Sequence, residues 1–146
     1  MMENKPGTVD ELTRLYKDTI VKNAVSPVGF EVEIEATHSA EIYNPLCGDR
    51  IEMQLRVLDG HIEDIAFRGE ACAICMASAS IMCESHSDCS TEQFQSAAQW
   101  FQLALGGEEA DESHPALKPL LGVRAYPSRV KCALLPWEAA EKALME

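Results

Sequence analysis

Residues 51–67 read IEMQLRVLDGHIEDIAF, and this stretch decides the fold. Ile51, Met53, Leu55 and Val57 alternate with Glu52, Gln54 and Arg56, the period of a half-buried strand. Asp59-Gly60 follows at once, a dipeptide that favours the left-handed backbone of a tight hairpin turn. Ile62, Ile65 and Phe67 supply the returning strand, with an irregularity expected between 62 and 65. A small antiparallel sheet results.

On the N-terminal side, Val9, Leu12, Leu15, Tyr16, Ile20 and Val21 recur at helical spacing, and Asp10 and Glu11 suit the first turn of a helix over 9–23. Ser26-Pro27-Val28-Gly29 breaks it. The stretch from Phe30 to Tyr43 alternates weakly and holds at most one short strand. On the C-terminal side, Ala71 to Glu84 is nearly all small or apolar, as in a helix buried against a sheet, and is too short to span a bilayer. Ser90-Thr91-Glu92-Gln93 is a capping box, and Phe94, Ala97, Ala98, Phe101 and Leu105 continue the helix it opens until Gly106-Gly107. Residues 107–121 are acidic and proline-containing, a loop with one short helical turn. A last helix begins near Pro127 and runs through Val130, Ala133, Leu134, Trp137, Ala140 and Leu144. Pro136 lacks the amide that would bond the Cys132 carbonyl, so a kink is expected there.

The length of 146 residues suits one domain over residues 1–146, and 47% hydrophobic residues suffice for its core. Twenty-four acidic against twelve basic side chains give a net charge of −12, which argues against nucleic acid and anionic membranes as partners. Met1 to Val9 has no apolar run behind it, so neither an export signal nor a spanning helix is expected, and the default compartment is the cytoplasm. In that reducing setting six cysteines point to metal or thiol chemistry rather than disulfides.

Three thiols sit where backbone geometry changes. Asn44-Pro45-Leu46-Cys47-Gly48-Asp49 is a turn before the strong strand, with a thiol and a carboxylate on either side of a glycine. Gly69-Glu70-Ala71-Cys72 leaves the second strand and puts Cys72 at the start of the apolar helix, where free amides and the dipole favour thiolate. Arg129-Val130-Lys131-Cys132 lies in the first turns of the last helix. Gathered at one end of the sheet, Cys47, Asp49, Cys72 and Cys132 make three sulfurs and one oxygen, a normal tetrahedral zinc set. Their intervals match no compact zinc-finger pattern, and by spacing alone they read equally well as small core residues.

These three motifs, with Met76-Ala77-Ser78-Ala79-Ser80 after the second and Ala133 after the third, closely resemble the U-type iron–sulfur assembly proteins: IscU, SufU and the N-terminal domain of NifU. The resemblance covers roughly residues 9–145. It implies an α+β fold, a three-stranded antiparallel sheet with helices packed on one side, in agreement with the reading above. It implies a metal site of Cys47, Asp49, Cys72 and Cys132. The scaffold branch, like IscU, carries histidine just before the third cysteine, whereas this chain has Lys131 there, as in the SufU branch. The acidic stretch at 107–121 fits the SufU-type insertion.

The SufU resemblance implies a zinc-containing acceptor of persulfide sulfur from a cysteine desulfurase of the SufS type, serving downstream iron–sulfur assembly proteins, with no free-standing catalysis. A histidine of the desulfurase is implied to replace one cysteine on zinc, freeing a thiolate. Cys47, in its Gly-flanked turn, is the expected sulfur acceptor and Cys132 the second choice. Asp49 is either the exchangeable oxygen ligand or a turn residue capping local amides. The alternative function is a scaffold that builds a [2Fe-2S] cluster on the same ligands, and a third is a closed structural zinc module. Cys75 stands where the family usually has serine, and reads either as a packed replacement or as a further ligand. Cys83 and Cys89 lie outside the motifs and read as spectators, as do His38, His61, His86 and His114 as surface residues. Met53, Met76 and Met82 read as packing. Arg124, Arg129 and Lys131 either hold thiolate charge, meet a partner or form a solvated face.

Overall fold

The computed structural model of the chain describes residues 9–146, with side chains from residue 13 onward. The expectations for Met1–Val9 and for the side chains of the first helical turn lie outside the described residues. The elements run α1 (Val9–Val25), β1 (His38–Tyr43), β2 (Arg50–Leu58), β3 (His61–Glu70), α2 (Ala73–His86), β4 (Cys89–Ser90), α3 (Thr91–Leu105), a 3-10 helix (Lys118–Ala125) and α4 (Pro127–Leu144).

Alternation produces the hairpin where it was expected. Ile51, Met53 and Leu55 have no exposed surface, while Glu52, Gln54 and Arg56 face the other way, and Asp59 and Gly60 turn at φ 50° and 74°. Arg56 pairs with Asp64 but Val57 with Ile62, so Glu63 is bulged out. The extra residue moves the buried set from even to odd positions, which lets Ile62, Ile65 and Phe67 share one face. The sheet is antiparallel in the order β1-β2-β3-β4. β1 is the short strand foreseen within 30–43. β4 adds a fourth strand, since Cys89 and Ser90 pair with Ile62 and His61. Two residues carry no alternation, so the sequence pattern showed three strands rather than four.

α4 packs on β1 and β2, α2 on β3 and α4, and α1 on α2. α4 continues through Pro136 as one helix, whose buried proline packs into the core. The capping box forms as read: Ser90 Oγ accepts from the Gln93 amide at 3.0 Å, and the Ser90 amide donates to Gln93 Oε1 at 2.8 Å. Only part of the apolar face of α1 is covered. Tyr16 and Ile20 are half-buried and Asn23 is buried, but Leu15 and Val21 are exposed, because the stripe facing α2 is narrower than the apolar pattern.

Gly69 brings the two strand ends that carry the site loops together. Its φ is 138°, and a Cβ there would lie 2.2 Å from the Arg50 carbonyl oxygen. Only glycine allows this approach. Gly69→Ala is expected to cost about 2–3 kcal/mol, the sum of backbone strain and a forced shift of β2, measurable as a lowered denaturant midpoint with unchanged slope.

His86 departs from its reading as a surface histidine. It is 8% exposed, packed edge-on against Phe94 (6.0 Å) and Trp137 (5.4 Å), with Nδ1 2.7 Å from Ser85 Oγ. Burial, then the neighbouring His114, lowers its pKa to about 4. The folded chain therefore holds it neutral while the unfolded chain protonates it, so stability present at neutral pH is lost as pH falls from about 6.5 towards 4. Denaturation near pH 5 should show about 2 kcal/mol less stability than near pH 7, and His86→Leu should flatten that slope.

Candidate metal centre

The site is built from two loops and two helix starts. In the loop between β1 and β2, the Asn44 amide donates to the Asp49 carbonyl and the Gly48 amide to the Asn44 carbonyl, both at 2.8 Å. Asn44 Oδ1 also accepts from the Leu46 amide at 3.0 Å. Asn44 thus pins a tight turn whose tip, Leu46 and Cys47, faces solvent. Gly48 completes it at φ 81° with open space around it. Cys72 is the N-cap of α2, as expected from its place after β3. Cys132 lies in the second turn of α4 and is 2% exposed.

Sulfur atoms of Cys47 and Cys132 and a carboxylate oxygen of Asp49 all fall within 4.8 Å of one another. That compares with about 3.5–4 Å between ligand atoms around tetrahedral zinc. Asp49 is 5% exposed. Its Oδ1 accepts from the Cys72 amide at 3.0 Å, while Oδ2 is buried with no hydrogen-bond partner among the described residues. A buried carboxylate oxygen without a partner is costly unless a cation meets it. The capping role weighed for Asp49 is therefore present in one oxygen, towards a distant amide rather than a local one, and the other oxygen is free. The donor set fits zinc: soft sulfur with one hard oxygen.

The Cys72 thiol stands outside the set of three. It lies beside Cys132: burial pushes the Cys132 thiol up to about 12, and Cys72, then Asp49 and Cys47, add to the push. The cluster gathers more potential negative charge than it can hold without a cation. Arg129 faces it from outside, its guanidinium held up chiefly by a hydrogen bond to Cys132 and by the charge of Cys72. Of the three basic residues singled out, Arg129 meets the thiols. Arg124 instead donates to the Leu121 and Ala104 carbonyls, and Lys131 is exposed.

Cys75 packs beneath the centre with no exposed surface, and its thiol is raised by burial first and then by Asp49. It is not within cation reach of the three, which matches its reading as a packed serine replacement. Cys83 is buried against Gly29, and Cys89 donates its thiol to the His86 carbonyl at 3.0 Å. Sequence reasoning missed Asn44, whose Asn-Pro pair was the signal of a side-chain-capped turn. It also missed Tyr16, whose hydroxyl is raised by burial and then by Tyr126, with Arg129 opposing and Cys72 reinforcing.

A family model, NifU-like N terminal domain, matches residues 15–146. The chain belongs to this family of U-type iron–sulfur cluster assembly proteins. This NifU-like chain is 37% identical to the zinc-dependent sulfurtransferase SufU of Bacillus subtilis (strain 168) over 136 residues, 91% of each chain. It is 30% identical to the iron–sulfur cluster assembly scaffold protein IscU of Streptococcus pyogenes serotype M1, covering 93% of this chain and 86% of that one. Its fold is similar to the crystal structure of SufU from Fervidobacterium islandicum AW-1, described as a scaffold for the SUF system (TM-score 0.78, 30% identity, 90% of this chain and 97% of that one). The α+β fold of this NifU-like chain is that of its relatives. No helix among its described residues is long and apolar enough to cross a membrane.

Proposed function

We propose that this NifU-like chain binds one zinc ion through Cys47, Asp49, Cys72 and Cys132 and accepts sulfane sulfur from a cysteine desulfurase of the SufS type. The observation that carries this reading is the convergence of Cys47, Asp49 and Cys132 with a buried, partnerless Asp49 Oδ2. Cys72 supports this reading through its thiol, which hydrogen-bonds to Cys132, a member of the set of three, and its sulfur moves by about 3 Å between staggered rotamers. Zinc held there supplies the positive charge that keeps these thiols deprotonated near neutral pH.

Cys47 is the acceptor in this reading because it alone of the four is exposed, at the tip of a turn that Asn44 holds in place. Its thiolate attacks the outer sulfur of the desulfurase's cysteine persulfide. That S–S bond breaks, its electron pair leaves with the desulfurase cysteine as thiolate, and Cys47 keeps the sulfane sulfur as a persulfide. The receiving proteins are those of iron–sulfur assembly. The Bacillus relative, named a zinc-dependent sulfurtransferase, and Lys131 in place of histidine support this branch.

A second reading, a scaffold that builds a [2Fe-2S] cluster as cargo on the same residues, is favoured by the relatives named IscU. Metal content of the purified chain and its visible absorption after anaerobic iron and sulfide addition separate the two. One zinc per chain and no cluster band is the expected result; a stable sulfide-to-iron band would overturn the acceptor reading in favour of the scaffold.

A further inference from the structure

Beside the metal centre, α1 and the 3-10 helix leave between them a groove of about 510 Å³. Leu15, Tyr16, Leu121 and Tyr126 wall it, and Leu15 and Tyr126 remain 50% and 52% exposed. The groove is preformed. At Gly122, in its floor, a Cβ would lie 2.6 Å from the Tyr16 ring, so ring and floor already touch and the groove cannot close by their approach. A concave apolar surface of this size on a soluble chain marks a binding site.

Charge narrows the occupant. The chain carries twice as many acidic as basic residues, yet among the described residues Lys118 and Arg124 line this groove and no carboxylate does. Lys118 is paired with Glu112 outside the groove; Arg124 has no carboxylate partner among the described residues and donates only to the Leu121 and Ala104 carbonyls, at 3.3 and 3.4 Å. The groove also adjoins the helix start that carries the centre, since Tyr126 is the N-cap of α4 and its carbonyl accepts from the Arg129 amide at 2.7 Å.

We propose that this groove anchors the protein that docks over the metal centre, by seating a segment of that protein in which apolar side chains are flanked by carboxylates. The proposal rests on the sulfur-acceptor reading above and adds where the donor is held. Apolar anchors in the groove supply affinity, and the cationic rim selects an acidic partner in a chain whose net charge of −12 repels one.

The test is a cysteine desulfurase assay in which the zinc-loaded, full-length chain is the varied component, paired with calorimetric titration of the desulfurase. Leu15→Glu places a carboxylate in the groove at an exposed helical position, and Lys118→Glu reverses the rim. Each should raise KM for this chain and the Kd for the desulfurase about tenfold, with kcat and zinc content unchanged, while Lys118→Arg behaves as wild type. Both glutamate variants acting at wild-type KM, or losing kcat with KM unchanged, would overturn the groove while leaving sulfur transfer in place. A wild-type chain that does not stimulate the desulfurase overturns the sulfur-acceptor reading itself, and the groove assignment with it.

Discussion

Replacing Cys47 by alanine is expected to bring cysteine turnover by a SufS-type desulfurase down to the level seen without this chain, while leaving the fold intact. The two halves of that expectation have separate causes. Cys47 is exposed at the tip of a turn, and its thiol makes a long hydrogen-bond contact of 4.0 Å to the Asn44 carbonyl. Its removal opens no cavity, so the stability change should stay within about 0.5 kcal/mol. The chemistry, by contrast, loses its exposed thiol: Cys132 is 2% exposed, Cys75 is fully buried, and the half-buried Cys72 stands at the helix start behind the turn, so each meets a persulfide presented from outside less readily than Cys47 does. Turnover is measured with increasing variant protein. Stimulation equal to wild type would remove Cys47 from the acceptor role and bring Cys132 forward.

Trp137→Ala should be the most destabilising single change, costing about 3–5 kcal/mol of a total near 5–15 kcal/mol. Trp137 is 1% exposed and sits among Phe94 (5.2 Å, stacked), Phe101 (5.6 Å) and His86 (5.4 Å), so truncation leaves a cavity that three rings cannot collapse into. The indole also joins the two helices that carry site cysteines. Its Nε1 donates to Ser78 Oγ at 3.0 Å, and Ser78 Oγ donates to the Ala133 carbonyl at 2.6 Å, one residue after Cys132. Alanine therefore removes the donor to the buried Ser78 hydroxyl, which keeps only its bond to the Ala133 carbonyl, and so loosens α2 from α4 as well as emptying the core. Denaturant unfolding of metal-free protein measures the loss directly, and weaker zinc retention by the same variant reports the loosened helix pair. A midpoint within about 1 kcal/mol of wild type would mean that other side chains hold this helix pair.

The parts of the fold legible in the sequence are those where one residue type forces one geometry. Alternation at 51–57 faces a single buried layer, Asp59-Gly60 suits positive φ, and the Ser90–Gln93 box satisfies the amides of both its ends. The parts that stayed hidden depend on distant partners. β4 is two residues long and exists because β3 offers an edge to it. Leu15 and Val21 look like core residues until α2 proves too narrow to cover them, and His86 looks exposed until Phe94 and Trp137 close around it.

The candidate centre divides in the same way. Spacing alone left Cys47, Cys72 and Cys132 as possible core residues, because the gaps between them are set by a hairpin, two helices and a long loop rather than by the site. Order and local context of the three motifs pointed to the candidate ligands through resemblance to the family. What neither spacing nor resemblance contained was the split role of Asp49, with one oxygen on the Cys72 amide and the other left without a partner, since that depends on β2 and β3 ending side by side at Gly69.

X-ray absorption at the zinc edge of the purified chain reads the coordination shell without reference to activity. Three sulfurs at about 2.3 Å and one oxygen at about 2.0 Å are predicted, with the oxygen contribution lost or replaced in Asp49→Ala. A chain that takes up no zinc, or a shell of nitrogen and water without sulfur, would contradict the gathering of Cys47, Asp49, Cys72 and Cys132 around one cation.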